Sequence, residues 1–265
     1  MGENKKRIEI IDALRGFAVV LMVIHHLLYN LAAFLGAPWW LFTNPVFDVL
    51  HYIFAGLFIF LSGVSSRFSR GNVERGAKAI VVAVLITYTT YRMGMPVWFG
   101  VLHLLGFSMM FFGVTRKLLD SMFFSVSVNS GTERLSGSDS FRLSARDIVA
   151  PAVLVALVVA SVLAKAYIPL TTESLWLRDF LSILGWQQPG FRSYDYFPLL
   201  PWLFVFLLGT WAGVFIRERV LPAWFYEVNP PIFPKIGRKA LFIYVLHQPV
   251  LYALVMGIAA LRGAN

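Results

Sequence analysis

The stretch from Ile8 to Phe34, IEIIDALRGFAVVLMVIHHLLYNLAAF, is long and apolar enough to cross a membrane as one helix. It nevertheless carries the ionisable side chains of Asp12, Arg15, His25 and His26. An Arg or Asp at the centre of a spanning helix costs about 2.5–3.5 kcal/mol on insertion scales. We therefore take these side chains as candidates for function.

The spacing of these residues places three of them in one stripe along the helix. His26 follows Arg15 by eleven residues, close to three helical turns, so the two side chains share a face and lie about 16 Å apart along the axis. Asp12, three residues before Arg15, shares that face. His25 points about 100° away, which favours a packing or hydrogen-bonding role for it.

The composition points to a membrane protein. Of the 265 residues, 58% are hydrophobic and only 14% are charged, against about 25% in soluble domains. The absence of cysteine excludes a disulfide framework, a thiol nucleophile and a thiolate metal site. Because the apolar runs have the length of helices, we predict an all-α, polytopic membrane bundle that forms a single domain over 1–265. We expect about seven spans, at about 8–34, 46–68, 76–91, 97–115, 148–168, 197–215 and 240–261, and a mobile polar loop over 120–147.

The distribution of Lys and Arg predicts the orientation of the bundle. With the N-terminus inside, the inner segments hold seventeen Lys and Arg residues and the outer segments four. An odd number of spans then puts the C-terminus outside. These flanking charges account for the net charge of +9, so the expected partner is the lipid bilayer and not nucleic acid. The segment 174–186 is apolar but short and charged, as in an interfacial or re-entrant helix.

The stripe on the first span combines two kinds of chemistry. Arg15 at the inner mouth can hold phosphate through its planar fork of donors. His26, deeper in the membrane, can take a proton from an acceptor or accept an acyl group. This pairing suits a long donor with a phosphate-rich head and a reactive far end, such as an acyl-coenzyme A from the cytosol. The alternative is that Arg15 only reaches to the interface beside Asp12.

Further histidines lie at a similar predicted depth. His103 in span four and His247 in span seven could converge with His26 on a polar pocket. His51, near the outer start of span two, reads more simply as an interfacial residue. We expect no metal, because no carboxylate accompanies these histidines at ligand spacing.

Five other side chains are candidates for substrate binding. Asp195 could orient an acceptor or a histidine, or could cap the next helix, and Tyr196 could stack on a sugar or anchor the interface. Arg67, Arg70 and Arg75 could add to a phosphate site at the inner mouth, or could be ordinary cytoplasmic flanking charges.

Several motifs along the chain resemble one known family. They are DALRG at 12–16, LMVIHH at 21–26, FLSG at 60–63, FGVLHLLG at 99–106, DYFPLLPW at 195–202 and LFIYVLHQPV at 241–250. In this order they resemble the heparan-alpha-glucosaminide N-acetyltransferase-like membrane family. The first span also resembles the wider membrane acyltransferases, whose pattern of a basic residue, ten residues and a histidine is matched by Arg15 and His26.

The resemblance implies transfer of an acetyl group from acetyl-CoA to an amino or hydroxyl sugar on the far side of the cell membrane. It implies His26 as base or transient acyl carrier, with Asp12 and Arg15 beside it in the catalytic set. The alternative is a non-enzymatic bundle: a small-molecule or proton pathway, or a partner-binding membrane subunit. Formation of a homo-oligomer stays open. Taken together, the candidate sites are Arg15, Arg67, Arg70 and Arg75 for the acetyl-CoA donor, and His103, His247, Asp195 and Tyr196 for the acceptor.

Overall fold

The computed structural model describes residues 7–123 and 145–263, and its regular elements there are helices. A short 3-10 turn over Trp39–Leu41 separates the first two long helices. The helices are α1 (Glu9–Leu35), α2 (Pro45–Phe68), α3 (Asn72–Arg92), α4 (Val101–Phe123), α5 (Ala145–Tyr167), α6 (Leu175–Leu184), α7 (Leu199–Arg217), α8 (Ala223–Glu227), α9 (Phe233–Gly237) and α10 (Ala240–Gly263).

Six of the described segments are long and apolar enough to cross a membrane: α1, the segment Trp39–Phe68 that contains α2, α4, α5, α7 and α10. The remaining long helix, α3, has 21 residues and begins with the charged pair Glu74 and Lys78. The predicted all-α membrane bundle of about seven spans is confirmed, with α3 as the seventh long helix. The helix α6 has ten residues, too few to span.

The boundaries of three helices differ from the prediction. Helix α3 begins at Asn72 and not at residue 76, because it includes a polar first turn, and α4 begins at Val101 and not at residue 97. Helix α4 also continues to Phe123. In its last turns Asp120 forms an ion pair with Arg116, one helical turn earlier. Helix α5 begins at Ala145. Both ends of the predicted polar loop over 120–147 are therefore helical, and its part over 124–144 lies outside the described residues.

The chain divides into two compact units, and the boundary between them falls inside α2. The first unit contains residues up to 61 together with those from 221 onward, and in it α1 packs against α9 and α10. Backbone meets backbone between α1 and α9. A Cβ atom on Gly16 would overlap the carbonyl oxygen of Phe233, and one on Gly237 would overlap the carbonyl oxygen of Asp12. The single domain over 1–265 stays a prediction.

The second unit contains residues 62–220, and its main pairs are α3 with α4 and α5 with α7. Small residues let the α3–α4 pair approach closely, since a Cβ atom on Gly76 would overlap the backbone of Gly106. A Cβ atom on Gly63 would likewise overlap the backbone of Phe206 in α7. The phenyl ring of Phe112 is fully buried in this unit.

Candidate active site

The inner end of α1 holds an ion pair within the predicted stripe. Nη1 of Arg15 lies 2.9 Å from Oδ1 of Asp12, and the two side chains are only 17% and 14% exposed. They lie three residues apart, so they share one face of α1 as the spacing requires. The carboxylate thus holds the guanidinium in a fixed position at this end of the helix.

A second arginine joins this ion pair from the other end of the sequence. Arg238, directly after α9, donates to both carboxylate oxygens of Glu9, and its Nε lies 3.7 Å from Oδ2 of Asp12. Two guanidinium groups therefore face two carboxylates. From the sequence, Arg238 counts only as an inner flanking charge, because it lies 229 positions from Glu9. The close approach of Gly16 to Gly237 brings it to this place.

The ring of His26 has one nitrogen engaged by its own helix. Nδ1 lies 2.9 Å from the carbonyl oxygen of Met22, and because a carbonyl oxygen only accepts, Nδ1 is the donor. In the tautomer that this bond selects, Nε2 holds the lone pair. In the described part of the chain no group donates a hydrogen bond to this Nε2. His26 is half-buried, and an imidazole with its lone pair on Nε2 is the form that a general base needs.

Helix α10 brings His247 against His26. The two ring centroids lie 4.8 Å apart, with the ring planes at 75°. Nδ1 of His247 lies 2.6 Å from the carbonyl oxygen of Tyr244, which gives this ring the same tautomer. Of the three histidines expected to converge, His26 and His247 are in contact, and His103 belongs to the second unit.

A buried pair of amides lies beside these two histidines. Nε2 of Gln248 donates to Oδ1 of Asn30 at 3.1 Å, and Asn30 has no exposed surface. Asn30 follows His26 by four residues on the same face of α1, and Gln248 directly follows His247. Neither amide is among the candidates that the sequence alone indicates. The available signals were an Asn at helical spacing inside an apolar span, and the neighbouring HQP at 247–249.

His25 packs in an aromatic cluster, as its direction on α1 predicts. Its ring stacks on that of His51, with centroids 4.4 Å apart and planes at 29°, and it also contacts Phe42 and Phe54. The centroids of His25 and His26 are 5.8 Å apart. Four imidazoles thus form a continuous row in the first unit: His51, His25, His26 and His247.

His103 has both ring nitrogens engaged at the start of α4. The backbone N–H of Gly100 donates to its Nδ1 at 3.2 Å, so Nε2 carries the hydrogen and faces Oγ1 of Thr87 at 3.4 Å. The hydroxyl of Thr87 in turn donates to the carbonyl of Val97 at 2.7 Å. These bonds join α3, α4 and the turn between them. A contact of His103 with substrate stays a prediction.

Asp195 and Tyr196 bond to the protein in the second unit. The carboxylate of Asp195 accepts the backbone N–H of Val101 at 3.2 Å, so it caps α4 and not the next helix, α7. The hydroxyl of Tyr196 donates to the carbonyl of Ser182 at 2.5 Å. Burial raises the pKa of Tyr196 to about 12, so the phenol keeps its proton. Contacts of both residues with an acceptor stay predictions.

We expect Asp195→Ala to destabilise the protein by about 0.5–2 kcal/mol, because the first turn of α4 loses its cap. Thermal unfolding in detergent measures this loss, and Asp195→Asn, whose side-chain oxygen can still accept the bond, serves as the control. The Michaelis constant for the acceptor separates this role from acceptor binding, because it stays the same in both variants if Asp195 only caps α4. An increase in Asp195→Ala alone, with an unchanged unfolding midpoint, would identify an acceptor-binding residue instead.

The three arginines at the inner end of the second unit are placed differently. Arg67 is 3% exposed; its Nε donates to the carbonyl of Thr210 at 3.1 Å, and its Nη1 donates to Asp120 at 2.5 Å. Arg70 and Arg75 are exposed. Arg67 therefore joins α2, α4 and α7, while Arg70 and Arg75 face outward. Binding of the donor by this set stays a prediction.

The described residues contain no group of three or more His, Asp or Glu side chains placed to hold a metal ion. The polar groups of the first unit are instead arranged along one line on α1: the Arg15–Asp12 ion pair, then His26 with His247, then the Asn30–Gln248 amide pair.

Comparison with protein families gives one match across most of the chain. The model of the heparan-alpha-glucosaminide N-acetyltransferase catalytic domain matches residues 7–132 and 141–249. Neither the curated proteins nor the solved structures contain a match to this chain. The family match covers the stripe on α1 as well as Arg238, His247 and Gln248. The chain therefore belongs to the heparan-alpha-glucosaminide N-acetyltransferase family of multi-pass membrane acetyltransferases.

Proposed function

We propose that this protein, in the cell membrane, moves an acetyl group from cytosolic acetyl-CoA to an amine or hydroxyl group of a sugar at the outer side. The family supports acetyl transfer in general. The observation that carries the finer proposal is the position of His26. Its Nδ1 donates to the carbonyl of Met22, so the lone pair belongs to Nε2 in that tautomer, and the spacing of eleven residues puts His26 on the same face of α1 as Arg15.

The inner end of α1 suits the head group of the donor. Acetyl-CoA carries phosphates at one end and the thioester at the other end of an extended arm. Arg15 and His26 lie about 16 Å apart along α1 in the same order, with the phosphate-binding group first and the base deeper in the membrane. Arg15 can offer its planar fork of donors to a phosphate. Asp12 positions that fork, and Arg238 lies next to it as a second guanidinium.

In the reaction, the acceptor nitrogen or oxygen attacks the carbonyl carbon of the acetyl thioester. Nε2 of His26 takes the proton from the attacking group as the new bond forms. The tetrahedral intermediate collapses, the carbon–sulfur bond breaks, and the proton passes from His26 to the departing thiolate of coenzyme A. The neighbouring ring of His247 limits how far the imidazole of His26 can turn.

The test is release of free coenzyme A thiol by the purified protein in liposomes. Release should require both acetyl-CoA and a sugar acceptor such as D-glucosamine. Coenzyme A should also raise the unfolding midpoint at micromolar concentration. Neither release nor a midpoint shift at millimolar donor would overturn the proposal and favour the non-enzymatic bundle.

Arg15→Ala should weaken donor binding by about tenfold or more, because a charge-assisted contact to phosphate contributes about 1.5–3 kcal/mol. The midpoint shift produced by coenzyme A measures this loss. Arg15→Lys should recover part of the donor affinity, because lysine supplies a point charge but not the planar set of guanidinium donors. The control is Arg178→Ala, which removes a half-buried arginine of an outer segment that donates to the carbonyl of Pro189. Equal donor affinity in wild type and Arg15→Ala would remove the phosphate role.

A further inference from the structure

The Asn30–Gln248 pair leaves one donor and one acceptor group unused. Their single hydrogen bond joins Nε2 of Gln248 to Oδ1 of Asn30. Nδ2 of Asn30 and Oε1 of Gln248 are both buried and have no hydrogen-bond partner among the described residues. Buried polar groups normally find partners, and leaving one unsatisfied is destabilising. Two such groups side by side therefore point to a third molecule that satisfies both.

The position of this pair is set by the two histidines. Asn30 lies one helical turn from His26, in the direction away from Arg15, and Gln248 adjoins His247 in sequence. In the proposed reaction the donor reaches His26 from the side of Arg15. The amide pair then lies on the opposite side of His26, where the acceptor must approach.

We propose that Asn30 and Gln248 form the acceptor subsite of this enzyme, an inference that rests on the proposed function. The ligand is a hydroxyl group of the acceptor sugar next to the group that receives the acetyl group. Such a hydroxyl both donates and accepts: its hydrogen bonds to Oε1 of Gln248, and one of its two lone pairs accepts from Nδ2 of Asn30. The attacking group keeps its own lone pair for the thioester and its proton for His26. The bound hydroxyl is then held within one helical turn of the His26 imidazole.

Helix α10 is locally weakened where the subsite lies. Pro249, directly after Gln248, has no N–H group, so the carbonyl of Val245 lacks its usual helical partner. Because Asn30 has no exposed surface, the acceptor enters only when this turn of α10 moves. The missing backbone bond makes that movement easier at this turn than elsewhere in the helix.

The test uses the full chain in detergent with saturating coenzyme A, and D-glucosamine as the probe. The main variant is the double substitution Asn30→Leu with Gln248→Met. It removes both partners together and keeps the approximate shape, so no polar group is left unsatisfied and folding should survive. The affinity for glucosamine, from the unfolding midpoint, should fall at least about tenfold, while the affinity for coenzyme A stays unchanged.

Phe34→Leu is the matched control, because the ring pair of Phe34 and Tyr252 joins the same two helices, with centroids 5.3 Å apart. Its glucosamine affinity should stay within about twofold of wild type. An unchanged glucosamine affinity in the folded double variant would overturn the subsite and leave a pair bridged by resident water only. Failure of wild type to bind any amino or hydroxyl sugar would overturn it as well. Glucosamine binding that is lost in the double variant, without release of coenzyme A from acetyl-CoA in wild type, would reject the proposed function and keep Asn30 and Gln248 as a sugar-binding site.

Discussion

Replacement of His26 with alanine is expected to abolish acetyl transfer while the protein stays folded. A positioned general base contributes about 10²–10⁴-fold to rate, and Nε2 of His26 is the base in the proposed reaction. The loss should appear in kcat, since the donor is held at the other end of the stripe by Arg15. Thiol release measures turnover, and the midpoint shift with coenzyme A verifies that the donor still binds.

The adjacent histidine offers a matched control for this experiment. His25→Phe changes the neighbouring residue of the same type, whose ring packs with His51, Phe42 and Phe54. Its Nδ1 is buried without a hydrogen-bond partner among the described residues, so a phenyl ring there should be tolerated or even stabilising. Full turnover in His26→Ala, or equal losses in both variants, would contradict the role of His26.

The second large effect is expected for Gly237→Ala in α9. The added methyl group would overlap the carbonyl oxygen of Asp12, and backbone atoms cannot move aside as the end of a flexible side chain can. Overpacking of this kind destabilises by about 1–3 kcal/mol, occasionally more. Displacement of α9 should also withdraw Arg238 from Glu9 and Asp12 and weaken donor binding. Thermal unfolding and the coenzyme A shift measure the two effects.

Gly257→Ala in α10 is the control for this substitution. A Cβ atom at Gly257 would meet nothing within 4 Å, so the change should stabilise the helix by about 0.5–1 kcal/mol. The two glycine variants should therefore shift the unfolding midpoint in opposite directions. A Gly237→Ala protein as stable as wild type, with donor affinity retained, would show that the α1–α9 contact adapts to the methyl group at no cost in stability.

The parts of the site that the sequence predicted are those that depend on the helical period. The common face of Asp12 and Arg15 follows from 3.6 residues per turn, and the different direction of His25 follows from the same rule. The spans followed from apolar runs of helix length. The roles assigned to these residues stay predictions.

The parts that could not be predicted depend on contacts between distant segments. Arg238 reaches Glu9 across 229 positions, and Gln248 reaches Asn30 across 218. Asp195 follows the same pattern, since it caps α4, which begins 94 positions earlier. Sequence patterns near Asp195 could predict only a cap for the helix that follows it, α7. Helix α4 begins later than predicted but also ends later, because the ion pair of Arg116 with Asp120 supports a polar helical turn beyond the apolar run.

The backbone contact between Gly16 and Gly237 limits how chimeras of this family can be made. The fit belongs to two segments far apart in sequence, and each presents main-chain atoms where the other has no side chain. A hybrid that takes its first helix from one relative and its α9 segment from another should assemble only when both junction positions stay free of side chains. Exchange of the two segments together should succeed where exchange of either one fails.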